Sequence, residues 1–416
     1  MTGLSPARTR LALLALALGG FGIGATEFVA SGLLPQIASD LLPSLDASSP
    51  QKAIAQAGIM ISAYAAGVVV GAPTIAVFAA RLPRKGLLIA LVAAFTLGSL
   101  ASALAPTFPL VVAARFVAAL PHGAYFGIAA LVAASLMGPG KRGRGVAFVL
   151  SGLTIANVIG VPAITLLGQQ AGWRVAYVAV AGIFALAMVA IWLAVPRQPG
   201  DPAATAAREL GGFRHATVWF ALLTGAVGFG GFFAVQSYIA PLATHVAGLA
   251  SGFVPVVLIV AGLGMTLGNL VGGHLADRGA TRTVFFCFGA FAVAFTVLGL
   301  TARWPVGLYL GVFLVATTAS ALSPAIQTRL MDVAGESQTL AAAANHSALN
   351  IGNSLGAFLG GAVISAGFGY LAPTWVGLAL CVPGVALALV GTLLSRRQHA
   401  VTSRGGREPI APLSGV

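Results

Sequence analysis

The chain has 416 residues, of which 58% are hydrophobic and only 7% are charged. Soluble domains carry about a quarter of their residues as charged side chains, so this composition excludes a soluble protein and indicates repeated membrane crossings. The net charge of +13 does not require a nucleic-acid partner, because the basic residues lie in short segments between apolar stretches.

Stretches without Asp, Glu, Lys or Arg divide the chain into segments of membrane-crossing length, about 20 apolar residues each. Two of them, 215–276 and 337–395, are too long for one crossing. Each contains a turn rich in Gly, Ala or Pro and predicts a two-helix hairpin. The sequence therefore predicts an all-α membrane protein with twelve transmembrane helices, at 11–36, 53–79, 86–105, 108–138, 145–168, 175–195, 216–243, 252–276, 283–301, 304–328, 339–366 and 371–394.

The basic residues predict the orientation of these crossings. With a cytoplasmic N-terminus, eighteen Lys and Arg residues lie inside, only Lys52, Arg174 and Arg303 lie outside, and Arg115 lies within a crossing. Short cytoplasmic loops are enriched in Lys and Arg, so this bias predicts that both termini are cytoplasmic and accounts for the positive net charge. The predicted location is a bacterial-type inner membrane.

The longest polar interior segment, 196–215, predicts a cytoplasmic linker between two halves. It separates an N-terminal six-helix bundle at 1–195 from a C-terminal six-helix bundle at 216–395, which is followed by a cytoplasmic tail at 396–416. We expect the chain to be a monomer in the lipid bilayer.

The two halves resemble each other in sequence. Leu-Thr-Ile-Ala-Asn-Val-Ile-Gly at 153–160 aligns with Leu-Asn-Ile-Gly-Asn-Ser-Leu-Gly at 349–356, at an offset of 196, which pairs the fifth and eleventh crossings. Gly71 and Gly268 each precede an arginine by ten residues, at an offset of 197. Internal repeats of this kind are typical of transporters in which two bundles move about a central site.

Small residues spaced by four recur on the paired helices. Such faces allow close approach of helix backbones in lipid, and their recurrence predicts a mobile interface between the two bundles. They are Gly67 and Gly71, Gly152, Ala156 and Gly160, Gly264, Gly268 and Gly272, and Gly352, Gly356 and Gly360.

Three strings in the first half carry a resemblance to a known family. They are Ala25-Thr26-Glu27-Phe28, Ile61-Ser62-Ala63-Tyr64 and the seven residues from Pro121 to Gly127, Pro-His-Gly-Ala-Tyr-Phe-Gly. From about Leu11 to Leu394 the chain resembles the major facilitator superfamily and, within it, the drug:proton antiporters of the AraJ-like sugar and drug efflux group. The resemblance implies alternating-access export of a drug, sugar or related metabolite in exchange for protons.

The resemblance also implies gating and structural motifs. Arg115 is similar to the arginine motif of the fourth helix, and the segment Gly152 to Pro162 to the antiporter motif of the fifth. Further residues in both halves match the gating and structural motifs of the family. They are Gly71, Arg81 and Arg84 in the first half, and Asp277, Arg278, Arg282 and Gly356 in the second.

Glu27 is the only one of nine acidic residues that the sequence places inside the membrane. Ionisable residues within a bilayer are energetically costly and by default mark an ion or proton pathway. Arg115 is predicted at a comparable depth, where it could pair with Glu27 directly or through water. His122 follows Arg115 by seven residues on the same helix face and is a candidate proton relay.

Other polar side chains at mid-membrane depth are candidates for substrate binding. An apolar wall with a few polar groups is typical of a small-molecule site, although each group could equally hydrogen-bond between helices. The candidates are Tyr64, Tyr125, Asn157, Gln236, His346, Asn350 and Asn353.

The sequence offers no metal-ligand cluster and no phosphate-binding loop, so we expect neither a metal nor another cofactor, and no ATP hydrolysis. A single membrane carboxylate beside an arginine favours H⁺ over Na⁺ as the coupling ion. A proton symporter or facilitator that imports a small nutrient is the alternative with the same architecture. The sequence lacks the residues that a membrane enzyme or sensor would need.

The charge bias makes the topology testable. A reporter fused after Arg208 should be cytoplasmic, and one fused after Arg303 should be external, because loops rich in Lys and Arg stay inside. Alkaline phosphatase and green fluorescent protein fusions report the two sides. An external reporter at Arg208 would contradict the helix assignment.

Overall fold

Helices joined by short turns make up the computed structural model, which describes residues 5–79, 82–137, 141–200, 216–334 and 338–405. In the first half the helices are Pro6–Leu41, Pro43–Ser48, Pro50–Ala57, Ile59–Ala79, Arg84–Leu104, Phe108–Ala119, His122–Met137, Arg142–Ile155, Ala156–Gly160, Val161–Ala171 and Trp173–Ala194. In the second half they are Ala216–Ser237, Ile239–Pro241, Leu242–Val246, Ser251–Phe253, Val254–Thr301, Pro305–Ala334, Gln338–Val363, Ile364–Phe368 and Ala372–Gly405.

Within the described residues, eleven helices are long and apolar enough to cross a membrane. One of them, Ser251–Thr301, is 51 residues long, more than twice the length that one crossing needs. Its backbone leaves helical geometry at Gly279, with φ 159° and ψ 95°, so it contains two crossings. The predicted all-α fold with twelve crossings is thereby confirmed.

Prolines explain why several crossings are interrupted. Pro121 has no N–H for the carbonyl of Val117, which instead accepts from the Leu120 N–H at 3.2 Å, so the fourth crossing breaks there. Pro162 likewise cannot bond to Val158, and the preceding turn, Ala156–Gly160, is a π-helix. These breaks lie within segments that the sequence predicts as uninterrupted helices.

The seventh crossing breaks for a similar reason. Pro241 lacks the N–H that would continue the helix from Ser237, so the helix ends at Ser237 and Tyr238 takes non-helical angles of φ −114° and ψ 27°. A π-turn over Leu242–Val246 follows. Tyr238 is thereby placed at the boundary between the bundles.

The predicted end of the last helix is wrong. The final helix runs to Gly405 instead of ending at 394, so residues 396–405 of the predicted tail are helical. A helix can continue beyond the bilayer once its backbone is hydrogen-bonded internally, and the charge pattern marks only where the lipid ends. Of the predicted linker, residues 201–215 lie outside the described residues; Gln198 packs against the first half, where its carbonyl accepts from the Arg84 N–H at 3.1 Å.

The buried apolar side chains form two large cores. One comes mainly from residues 12–195, and the other mainly from residues 218–388. Of the crossings in the described part of the chain, the first and seventh are the most buried. They occupy equivalent positions in the two halves, so most side chains on their central turns lie deep inside the protein.

The glycine faces pack within each bundle, and the prediction that they form the mobile interface is wrong for this arrangement. A Cβ on Gly71 would lie 2.1 Å from the Leu120 carbonyl oxygen, and one on Gly268 would lie 2.1 Å from that of Thr317. Both contacts repeat at an offset of 197. Gly152, Gly160 and Gly356 also contact helices of their own bundle, at Ala17, Phe21 and Gly230.

Different residues join the bundles, at the end where the second crossing begins. Ser62 and Ser354 each donate a hydroxyl to the other's carbonyl at 3.3 Å. Gly262 faces the Asn157 backbone, and a Cβ added to Gly262 would lie 2.5 Å from the Asn157 carbonyl oxygen. We call this the Lys52 end, after the cation that lies there; it is closed in this structure by these contacts.

The repeated glycine contacts predict a position-specific effect of one methyl group. Gly268→Ala should lower the melting temperature in detergent, because the new Cβ would collide with the Thr317 carbonyl oxygen. Gly273→Ala on the same helix is the control, since a Cβ there meets nothing within 4 Å. There the change should be neutral or stabilising by up to about 1 kcal/mol. Equal effects of both substitutions would contradict the packing.

Candidate functional site

Glu27 lies on the most enclosed stretch of the first crossing, where every residue from Gly22 to Leu34 is buried. Its side chain is 8% exposed. The Asn353 side chain, from the eleventh crossing, donates its amide N–H to the Glu27 Oε1 at 3.4 Å. The carboxyl group is therefore hydrogen-bonded across the boundary between the two bundles.

Arg115 is fully buried on the fourth crossing and contacts the residue that precedes Glu27. Its Nη1 donates to the Thr26 hydroxyl at 2.9 Å, and its Nη2 donates to the Thr26 carbonyl at 2.8 Å. The guanidinium carbon lies 4.1 Å from the centre of the Tyr64 ring and 5.3 Å from that of Tyr177. Cation–π contact thus adds to the two hydrogen bonds.

Arg115 and Glu27 do not form a direct ion pair. Both lie in the described part of the chain, and no Arg115 nitrogen is within 4.0 Å of a Glu27 carboxyl oxygen. Of the two predicted possibilities, the direct contact is therefore wrong for this conformation. The positive charge is held one residue away through Thr26, so its effect on Glu27 is electrostatic.

A row of rings leads from Arg115 to the second bundle. The Tyr64 hydroxyl and His122 Nδ1 are 3.2 Å apart and share a hydrogen bond. The His122 ring contacts Phe126 at 5.5 Å between ring centres, and Phe126 stacks on His346 at 5.7 Å with planes 5° apart. His346 belongs to the eleventh crossing, so this row also joins the bundles.

The structure therefore brings together six of the ten predicted proton-coupling and substrate residues. They are Glu27, Arg115, Tyr64, His122, His346 and Asn353. All lie on the first, second, fourth and eleventh crossings. These four helices supply a buried carboxyl, a guanidinium and two imidazoles within one enclosed region.

The other four predicted residues have different surroundings. The Tyr125 hydroxyl donates to the Leu16 carbonyl at 2.7 Å and fills the space beside Gly19, so it packs the fourth crossing onto the first. Asn350 donates to the His346 carbonyl within its own helix at 3.0 Å. Asn157 and Gln236 are buried, on the π-turn of the fifth crossing and near the end of the helix Ala216–Ser237.

The residues of the predicted gating motifs are distributed over both halves. Asp277, Arg278 and Arg282 are exposed around the break at Gly279. The Arg84 N–H binds the carbonyl of Gln198, while Arg81 lies outside the described residues. Pro162 is buried directly after the π-turn that its missing N–H produces.

Sequence reasoning missed several residues of this site. Thr26 anchors Arg115, and its position beside Glu27 was the one available signal. Tyr177 contacts Arg115 from another crossing. Phe28 and Phe233, from crossings that are distant in sequence, stack with ring centres 6.2 Å apart and planes 10° apart. No periodicity along a single helix predicts such contacts.

Comparisons with known proteins identify the class that this fold and its enclosed polar centre define. Residues 16–264 and 251–415 match the Major Facilitator Superfamily. The chain belongs to this superfamily and is a membrane transporter of small molecules, not an enzyme.

Individual relatives match this chain along nearly its full length. The chain is 39% identical to the inner membrane transport protein YdhP of Escherichia coli K12 over 390 residues, which cover 94% of this chain and 97% of the relative. It is 32% identical to the putative transporter AraJ of the same strain, covering 86% and 89% of the two chains. The predicted resemblance to the AraJ-like group is thereby confirmed, and the chain is a multi-pass inner-membrane protein.

Two further similarities are to a resistance protein and to a solved transporter structure. A chloramphenicol resistance protein of Streptomyces lividans is 33% identical, with 88% of this chain and 92% of the relative covered. The crystal structure of a D-xylose-proton symporter superposes with a TM-score of 0.71 at 17% identity, covering 92% and 97% of the two chains. At this identity the superposition establishes the fold alone.

The contacts of Arg115 predict that its charge cannot be supplied equally well by lysine. Arg115→Lys should lower the free energy of unfolding by about 2 kcal/mol, because a lysine cannot make both bonds to Thr26 while stacking on Tyr64. Thermal unfolding in detergent measures the loss. Arg174→Lys is the control, since that half-exposed arginine pairs with Asp40 at the surface, where ion pairs contribute only about 0–1 kcal/mol. A smaller loss at Arg115 than at Arg174 would contradict this anchoring role.

Proposed function

We propose that the chain exports a small molecule in exchange for protons, with Glu27 as the proton-carrying group. The observation that carries this proposal is the hydrogen bond between Glu27 and Asn353, which connects a buried carboxyl of one bundle to the other bundle. A carboxyl at this position is in a different environment whenever the bundles separate.

Coupling requires that proton binding and bundle arrangement influence each other's free energy. In the observed arrangement Asn353 can serve either protonation state of Glu27. Its amide nitrogen donates to the carboxylate, and its oxygen, which is buried with no hydrogen-bond partner among the described residues, can accept from a protonated carboxyl. Separation of the bundles removes Asn353 from Glu27, so the relative free energy of the two protonation states of Glu27 depends on the arrangement of the bundles.

The ring system beside Glu27 supports a proposal for the substrate class. Tyr64, His122, Phe126 and His346 form a connected aromatic surface with few polar atoms, which begins at Arg115. Such a surface suits an uncharged or weakly charged drug, sugar or related metabolite with a flat apolar part. The chloramphenicol resistance protein among the relatives supports efflux and makes chloramphenicol the first compound to test.

The remaining parts of the proposal follow from sequence and packing. Both termini are cytoplasmic, and residues 1–195 and 216–395 move as two bundles in a monomer. The two separate apolar cores and the glycine contacts within each bundle support their movement as units. The Lys52 end then faces the exterior, and the observed arrangement is closed on that side.

Replacing Glu27 with Gln tests the proton-carrying role. Glu27→Gln should insert and fold, because it removes a costly buried charge from the bilayer, yet it should abolish export driven by a pH gradient. The measurement is substrate accumulation in proteoliposomes with an acidic lumen, using chloramphenicol or the best compound from a susceptibility screen. Antiport predicts accumulation as protons leave; accumulation only with an acidic exterior would instead indicate symport.

Asp46→Asn is the matched control, since Asp46 lies on the short helix Pro43–Ser48 outside the buried site. It should transport like the unmodified protein. Asp40 is less suitable because its carboxylate accepts from Arg174 and Trp173. Full pH-driven accumulation by Glu27→Gln would show that another group carries the proton.

A further inference from the structure

A lateral groove lies between the second and eleventh crossings at the Lys52 end. Its volume is about 400 Å³, and its walls come from both bundles, with Ala55 and Ile59 on one side and Ala357 and Gly361 on the other. Ser62 lines its inner end, where that residue forms the reciprocal hydrogen bonds to the eleventh crossing. The groove is therefore a cleft closed at one end, distinct from the enclosed site around Glu27.

The lower walls of the groove are apolar and open toward the bilayer. Phe358 is 65% exposed and Ile59 is 46% exposed. Ile59 lies seven residues beyond Lys52, a depth of roughly 10 Å at the rise of a helix. At that depth the solvent is hydrocarbon, so these two side chains are positioned to contact an acyl chain.

The rim of the groove is polar and carries a positive charge. Lys52 and Gln56 line it from the second crossing, and Ser365 lines it from the eleventh. A cation, a carboxamide and a hydroxyl can together bind the phosphate and the glycerol oxygens of a lipid head group. The order of groups, with charge at the rim and apolar walls below, matches the order of groups in a phospholipid.

We propose that this groove binds one anionic phospholipid. Its phosphate lies at Lys52 and Gln56, and one of its acyl chains lies along Ile59 and Phe358. Because the walls belong to different bundles, a lipid bound there contacts both of them only while the Lys52 end is closed. Anionic lipid therefore favours the closed arrangement of this end.

The charge of Lys52 tests the head-group contact. Native mass spectrometry of the protein in detergent, supplied with equal amounts of phosphatidylglycerol and phosphatidylcholine, should show one phosphatidylglycerol retained about fivefold more than phosphatidylcholine. Lys52→Gln should bring the two lipids to similar retention. Arg303→Gln, which removes another exposed cation away from the groove, should retain the preference of the unmodified protein.

Filling the groove tests its location independently. Ala362 lines the groove and is exposed, so Ala362→Trp should displace either lipid while leaving Lys52 in place. Ala94→Trp, at another exposed position on the third crossing, is the control for added bulk. Thermal unfolding verifies that each variant is folded. Unchanged phosphatidylglycerol retention in both Lys52→Gln and Ala362→Trp, or equal retention of both lipids by the unmodified protein, would overturn the proposal.

Discussion

The two hydrogen bonds from Arg115 to Thr26 are the interaction on which the centre of this protein depends. A guanidinium without water needs partners from the protein, since an unsatisfied charge in a low-dielectric interior is costly. Thr26 supplies a hydroxyl and a carbonyl, at 2.9 and 2.8 Å, and the Tyr64 ring covers one face of the cation. The first, second and fourth crossings are thereby held together beside Glu27.

The contacts within each bundle differ in kind from those between the bundles. Within each bundle, glycines bring backbones so close that a single added methyl would collide with a carbonyl, as at Gly71 and Gly268. Between the bundles, apart from the close approach of Gly262 to the Asn157 backbone, the contacts include isolated hydrogen bonds and ring stacking, such as Ser62 with Ser354 and Phe28 with Phe233. Contacts of the first kind resist separation, whereas those of the second kind can break at modest cost.

Two of the interrupted helices lie beside the boundary between bundles. Pro162 produces the π-turn that presents the Asn157 backbone to Gly262, and Pro241 ends the helix that places Tyr238. The Tyr238 hydroxyl donates to the Ala357 carbonyl at 2.8 Å, and its ring end covers Gly58 of the opposite bundle. The prolines therefore expose backbone or redirect side chains where the two halves meet, which regular helices would not do.

The sequence by itself determined the all-α class, the number of crossings and the identity of the one membrane carboxyl. These properties follow from composition and from charge spacing along the chain, because lipid excludes charge wherever it is not compensated. It also indicated Arg115, His122 and Asn353 as parts of the centre. Its error concerned which partner each group meets: the glycine faces pack within bundles, and Arg115 bonds to Thr26 instead of Glu27.

Only the tertiary structure decided those partners, because helices of equal pattern can pack in several rotations about their axes. The hydrogen bond from Asn353 to Glu27 joins residues 326 positions apart, and no local spacing specifies it. Likewise, the sequence predicts Lys52 to be an external cation, but its groove exists only because the second and eleventh crossings lie side by side. Rotation and contact are set by the packing of all twelve helices together, which a one-dimensional pattern does not contain.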